Sequence, residues 1–178
     1  MSNPDLINVR LPSARITPTS TPTAPQATTP PAGSPSQTVW PSDATERAAL
    51  PANVTVNAAN CTAFGQTGCT SLAGTAALGA IQALSTACGG CSMVITGGTE
   101  CWLHGSRDPR CNGTHHRQGD YAIDLRHSAA LDSYIQSAGT VICSPRGRPL
   151  YQIGNAVYWD EDSAHWHVNF NYTSCSGF

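Results

Sequence analysis

Eight cysteines, Cys61, Cys69, Cys88, Cys91, Cys101, Cys111, Cys143 and Cys175, all lie after residue 60 of a 178-residue chain. An even set confined to one part of the sequence predicts up to four cross-links and an oxidising compartment. A structural zinc cluster is the competing use of Cys88-Gly-Gly-Cys91, but no second CxxC is present to complete one. Eight cysteines allow 105 pairings. Joining nearest neighbours gives Cys61–Cys69 and Cys101–Cys111 as the simplest expectations.

The region before the cysteines is of a different kind. Residues 11–43 are rich in Pro, Thr, Ser and Ala, as in Thr17-Pro18-Thr19-Ser20-Thr21-Pro22. Such a stretch cannot bury enough apolar surface to offset its ordering entropy. Residues 1–43 therefore read as a disordered tether and 44–178 as one disulfide-stabilised domain, long enough to bury a core of its own. A secreted or cell-surface protein is expected, although Met1–Arg10 lack the continuous apolar segment of a secretory leader. The longest apolar run, near Ala76–Leu84, falls well short of the roughly 20 residues that span a bilayer. A net charge of −2 with only 11 % charged residues speaks against a nucleic-acid partner, which needs a basic face.

Periodicity gives a coarse map. Thr70–Ala87 carries small apolar residues at helical spacing, with Thr70 or Ser71 as cap and Gly89-Gly90 as terminator. Ser128–Ser137 reads as a second helix capped by Ser128. Ser92–Thr96, Tyr121–Leu125, Val141–Cys143, Leu150–Ile153, Ala156–Trp159 and His165–Asn171 read as strands. The expected class is α+β: a small, mostly antiparallel sheet with flanking helices.

Four of the six histidines fall in two clusters beside acids: Thr114-His115-His116 leading to Asp120 and Asp124, and Asp160-Glu161-Asp162 leading to His165-Trp166-His167. Imidazole and carboxylate are zinc ligands, and a catalytic zinc keeps one position for water. On a strand, His165 and His167 face one side and Trp166 the other. An isolated histidine is more often a hydrogen-bonded structural residue, and His104 and His127 are read that way. Two clusters with adjoining carboxylates point instead to a metal site.

The order Thr96-Gly97-Gly98, then Thr114-x-His116-x-x-Gly119-x-Tyr121-Ala122-Ile123-Asp124, then His165-x-His167-Val168 resembles the zinc D-alanyl-D-alanine carboxypeptidase and endolysin family. That family is grouped with lysostaphin-type enzymes and the hedgehog signalling domain. The likeness covers roughly Met93 to Phe170. It implies that His116, Asp124 and His167 bind Zn2+, that His165 stabilises an oxyanion or moves protons, and that the partner is a peptidoglycan peptide cleaved by a monomeric enzyme.

Three features depart from the family pattern. Asp124 follows His116 by eight residues rather than seven, which calls for a bulge near Asp120-Tyr121. Thr99-Glu100 stands where a substrate-binding arginine is usual, leaving Arg107 as the best-placed substitute, ahead of Arg110 and Arg117. Ala164 stands where some members keep a glutamate base, leaving Asp162 or Glu161 for that role. Within this picture a Cys101–Cys111 bond would hold the loop at the site's entrance, and Cys143 with Cys175 would fasten the last strand.

The function expected is zinc-dependent hydrolysis of peptide bonds in peptidoglycan stem peptides or cross-links. The alternatives are a non-catalytic, zinc-stabilised extracellular binding or structural module, and a disulfide-rich surface protein without metal.

Overall fold

A computed structural model describes residues 38–178; of the tether expected over residues 1–43, residues 1–37 lie outside the described residues. Residues 38–43, assigned to the tether from composition, belong to the fold. Trp40 and Asp43 are buried, and Val39 bridges to Ala63.

In chain order the elements are α1 (Ala44–Ala48), β1 (Val54–Val56), α2 (Leu78–Ala87), β2 (Met93–Gly97), β3 (Ala122–Arg126), α3 (Ala129–Ala138), β4 (Thr140–Cys143), β5 (Leu150–Ile153), β6 (Ala156–Asp160) and β7 (His165–Asn169). The strands form one sheet in the order β1-β2-β3-β7-β6-β5-β4. Only β1 and β2 are parallel, and every other neighbouring pair is antiparallel. The α+β expectation therefore holds, with a sheet of seven strands rather than a small one.

Alternation along the central strands divides the two faces of the sheet. Ile123 and Leu125 of β3 and Trp166 and Val168 of β7 join Ile81 and Leu84 of α2 and Leu131 and Ile135 of α3 in the main core. The intervening residues Asp124, His165 and His167 face the other way, into an open cavity. Burying one face fixes the register, since a one-residue slip would exchange the two sets. Gly154 supplies the positive φ that the two-residue turn between β5 and β6 requires.

The first helix expected from periodicity is shorter than predicted. Residues 70–77 are not helical, and three of their backbone donors are taken by acids from other segments. Ser71 N–H donates to Glu100, Leu72 N–H to Asp43 and Gly74 N–H to Glu46. Tertiary hydrogen bonds thus replace the intrahelical ones, and Leu72 and Ala77 still reach the core. α3 is as expected, with the Ser128 hydroxyl accepting from Leu131 N–H at its first turn.

All eight cysteines are paired: Cys61–Cys69, Cys88–Cys91, Cys101–Cys111 and Cys143–Cys175. Four such bonds point to an oxidising compartment outside the cytoplasm. Cys88–Cys91 is a disulfide at the end of α2, not half of a metal cluster. Among the described residues no helix is long and apolar enough to cross a membrane.

Candidate metal centre

β3 and β7 are hydrogen-bonded neighbours, and Asp124 pairs directly with His167 in their register. The sheet alone therefore brings those two side chains together on the cavity face. His116 arrives from the loop between Cys111 and β3. Its backbone N–H donates to the Thr114 hydroxyl, and its ring Nδ1 donates to the Gly98 carbonyl at 2.7 Å. That bond fixes the tautomer and leaves the Nε2 lone pair facing the cavity.

His116 Nε2, Asp124 Oδ1 and His167 Nδ1 then converge, at 3.0 Å between the two nitrogens, 3.3 Å from His116 to the carboxylate and 3.1 Å from His167 to it. A tetrahedral zinc with donors at roughly 2.0–2.1 Å sets those donors about 3.3–3.4 Å apart. The three residues are only 3 %, 4 % and 8 % exposed, so bulk water does not satisfy them. With the His116 proton committed to Gly98, His116 Nε2 and Asp124 Oδ1 are both acceptors, served at most by one shared proton on His167 Nδ1; with the His167 proton on Nε2 instead, three lone pairs meet with no donor among them. A cation between them removes the shortfall, and the donor set fits one.

The electrostatics agree. Burial pushes the His116 ring below its ordinary value, only partly opposed by the Asp124 charge, so the neutral, ligating form is favoured. Burial pushes the Asp124 carboxyl up, but the His116 and His167 rings beside it outweigh burial and hold it well below the usual range.

Glycine makes the approach possible. A Cβ on Gly97 would lie 2.5 Å from Asp124 Oδ2, and one on Gly98 2.1 Å from the Ser71 carbonyl. Substitution at either would displace a ligand or the strand end that orients His116. Asp120 and Tyr121, where a bulge is expected, precede the strand, and β3 runs in unbroken register with β7 from Ala122. Gly119 takes a positive φ in the turn before β3, and the irregularity in pairing lies between Ile95 and Gly97 of β2.

Around these three atoms lies a cavity of about 720 Å³, lined also by Glu161, Asp162, His165, Trp159, Arg146 and Phe178. His165 Nε2 is 3.3 Å from Glu161 Oε2, and its Nδ1 is 3.1 Å from Asp162 Oδ1. The hydrogen bond to Glu161 raises the His165 pKa despite partial burial, and the same bond lowers that of Glu161. Asp162 is exposed and caps the turn into β7 by accepting from the N–H groups of Ala164 and His165. Arg107 is exposed and not among the lining residues. Arg146 lines the cavity instead, its guanidinium 5.1 Å from the centre of the Trp159 ring.

His104, read from sequence as a structural or surface residue, stands inside the site. Its ring stacks on His116 with centroids 3.6 Å apart, and Nδ1 lies 3.5 Å from Asp124 Oδ2. Its place on the Cys101–Cys111 loop is the one signal of this in the sequence. His127 does sit apart, against Asp132 and Trp166. His115 is turned toward Tyr172 and Phe178 at the rim. Comparison with known proteins gave no significant match of any kind: no family model fits the chain, no curated protein matches it and no solved structure does.

Proposed function

We propose that this is a secreted or cell-surface zinc peptidase that cleaves peptide bonds in peptidoglycan stem peptides or cross-links. The observation that carries the reading is the convergence of His116 Nε2, Asp124 Oδ1 and His167 Nδ1 at 3.0–3.3 Å beside a half-buried His165–Glu161 pair, in a cavity open to a peptide. The choice of substrate rests on the resemblance of the His116–Asp124 and His165–His167 segments to the carboxypeptidase and endolysin family.

Bound by those three residues, zinc would supply an acidified water and a Lewis acid for the scissile carbonyl. The protein's own groups do the rest. Glu161 accepts a proton and passes it to the leaving amine. His165, whose protonated form the contact with Glu161 favours, donates to the developing oxyanion. Asp162 holds the His165 ring in place. Arg146, in the position expected of Arg107, offers a cation for a substrate carboxylate, with the Trp159 face holding the guanidinium.

One observation favours the alternative, a zinc-stabilised binding or structural module without turnover. The Phe178 ring packs 5.6 Å from His167, and the ligands are nearly closed to solvent. Digestion of purified peptidoglycan, with zinc content measured on the same sample, separates the two. Release of peptide fragments that stops on chelation and in Asp124→Ala supports the peptidase. A zinc-loaded protein that leaves peptidoglycan and D-amino-acid peptides intact rules it out and leaves the module.

A further inference from the structure

Asp124 turns its two oxygens toward two different sets of atoms. Oδ1 meets His116 and His167. Oδ2 lies between His104 Nδ1 at 3.5 Å and His165 Nε2 at 3.8 Å, and the latter is itself 3.3 Å from Glu161 Oε2. One oxygen of Asp124, one of Glu161 and one nitrogen of His165 all lie within 4.8 Å of one another. One imidazole nitrogen and two carboxylate oxygens at that spacing are a donor set for a divalent transition cation. The orientation of His165 suits coordination. Its Nδ1 faces Asp162 Oδ1 at 3.1 Å, so a proton held there leaves the Nε2 lone pair aimed at Glu161 and Asp124. The backbone N–H groups of Ala164 and His165 anchor Asp162 in turn.

We propose that Asp124 bridges two cation sites, the His116–Asp124–His167 site and a second, weaker one formed by Asp124, Glu161 and His165. The proposal rests on the metal-binding part of the proposed function, but not on hydrolysis. The second ion binds more weakly for two physical reasons. It shares the single charge of Asp124 with an ion already bound, and it repels that ion. Its ligands are also less buried, so water competes for them. Occupancy has a chemical consequence: Glu161 and His165 Nε2 cannot coordinate a cation and carry a proton in the same state. Filling the second site therefore silences any hydrolysis that depends on them.

The test uses the full, oxidised chain, stripped of metal with a chelator and dialysed against zinc chloride at rising concentration, with bound zinc per chain read by elemental analysis. Two equivalents are expected, the second held ~10-fold or more weakly. Glu161→Gln should remove only the weak equivalent, His116→Ala or His167→Gln only the tight one, and His127→Ala neither. With Mn2+ in place of zinc, magnetic coupling between two bound ions should appear in the unaltered protein and vanish in Glu161→Gln. A single tight equivalent, the same in the unaltered protein and in Glu161→Gln, overturns the bridged site and leaves the first intact. A weak equivalent that survives Glu161→Gln but is lost in His127→Ala also overturns it, since the ion then sits elsewhere on the surface. The absence of any tight equivalent overturns the zinc peptidase reading itself.

Discussion

Half of the site is held by a sheet and half by loops, and the two halves are secured by different means. Asp124, His165 and His167 stand on adjacent strands whose pairing is continuous over five residue pairs. Their positions follow from backbone hydrogen bonds and from the apolar residues between them. His104 and His116 stand on a stretch from Gly98 to Tyr121 whose only regular structure is the short 3-10 turn Cys101–His104. That stretch is secured by the Cys101–Cys111 bond, by the buried Glu100 carboxylate accepting from Ser71 and Gly98, and by the Gly98 carbonyl on His116. The sheet half is fixed by the pattern of the sequence; the loop half is fixed by a few specific bonds. Each should therefore fail differently.

The largest effect is expected where the halves meet. Asp124→Ala should weaken zinc binding by at least ~100-fold, read by competition with a chelator, while amide protection along β3 and β7 persists. Removing a sheet-side anchor behaves in the opposite way. Leu125→Ala, deep in the core, should lower unfolding stability by about 2–5 kcal/mol and shift the thermal midpoint whether or not metal is present. Glu100→Ala attacks the loop half. It leaves two buried N–H groups without their acceptor, at about 1–3 kcal/mol each, and should loosen zinc binding although Glu100 is not a ligand.

Opening Cys101–Cys111 with a pair of serines should cost about 3 kcal/mol, against about 2 kcal/mol for Cys88–Cys91, whose loop is shorter. Only the first should weaken metal binding. Equal losses of metal affinity would mean that the two halves are not separately secured.

The smallest effect is that of acid on the metal-free protein. His116 and Asp124 both have lowered folded values, so the unfolded chain takes up protons first and stability falls as pH drops. The His116 contribution is lost from its ordinary value of 6.5 downward and that of Asp124 from 3.8 downward. His165 acts on the other side of 6.5: its raised value contributes stability that is fully present below 6.5 and is lost as pH rises through its folded value. A His165→Ala variant should therefore lose the fall in stability on the alkaline side of pH 6.5 and keep the acid-side decline when thermal midpoints are followed across pH.

The same division explains how much of the molecule is legible in its sequence. The strand pattern bounds β5 to the residue and places the starts of β2, β3, β6 and β7 to within about a residue or two, because one face of each is buried. His165, His167 and Asp124 fall on the cavity side for that reason. β1 leaves no such trace: three residues are too few to show a period, and β1 forms by pairing with β2. Periodicity also starts α2 too early, because Asp43, Glu46 and Glu100 claim N–H groups of residues 71–74 from outside the segment. His104 and Arg146 escape sequence reasoning on similar grounds. Their positions depend on a cross-linked loop and on a 3-10 turn in which Arg146 itself takes a left-handed φ of 49°. Arg107 looks better placed by its distance along the chain, yet Arg146 lines the cavity and Arg107 does not.

The direct pairing of Asp124 with His167 across β3 and β7 has a consequence for how the molecule matures. Sliding one strand past the other by a single position would send the carboxylate into the apolar interior and bring Ile123 out in its place, so no partly working centre exists along that path. Ion capture thus becomes a readout of correct strand alignment. On the proposed reading, a refolding chain would acquire a metal ion only after β3 and β7 had locked, however early the cysteines had joined.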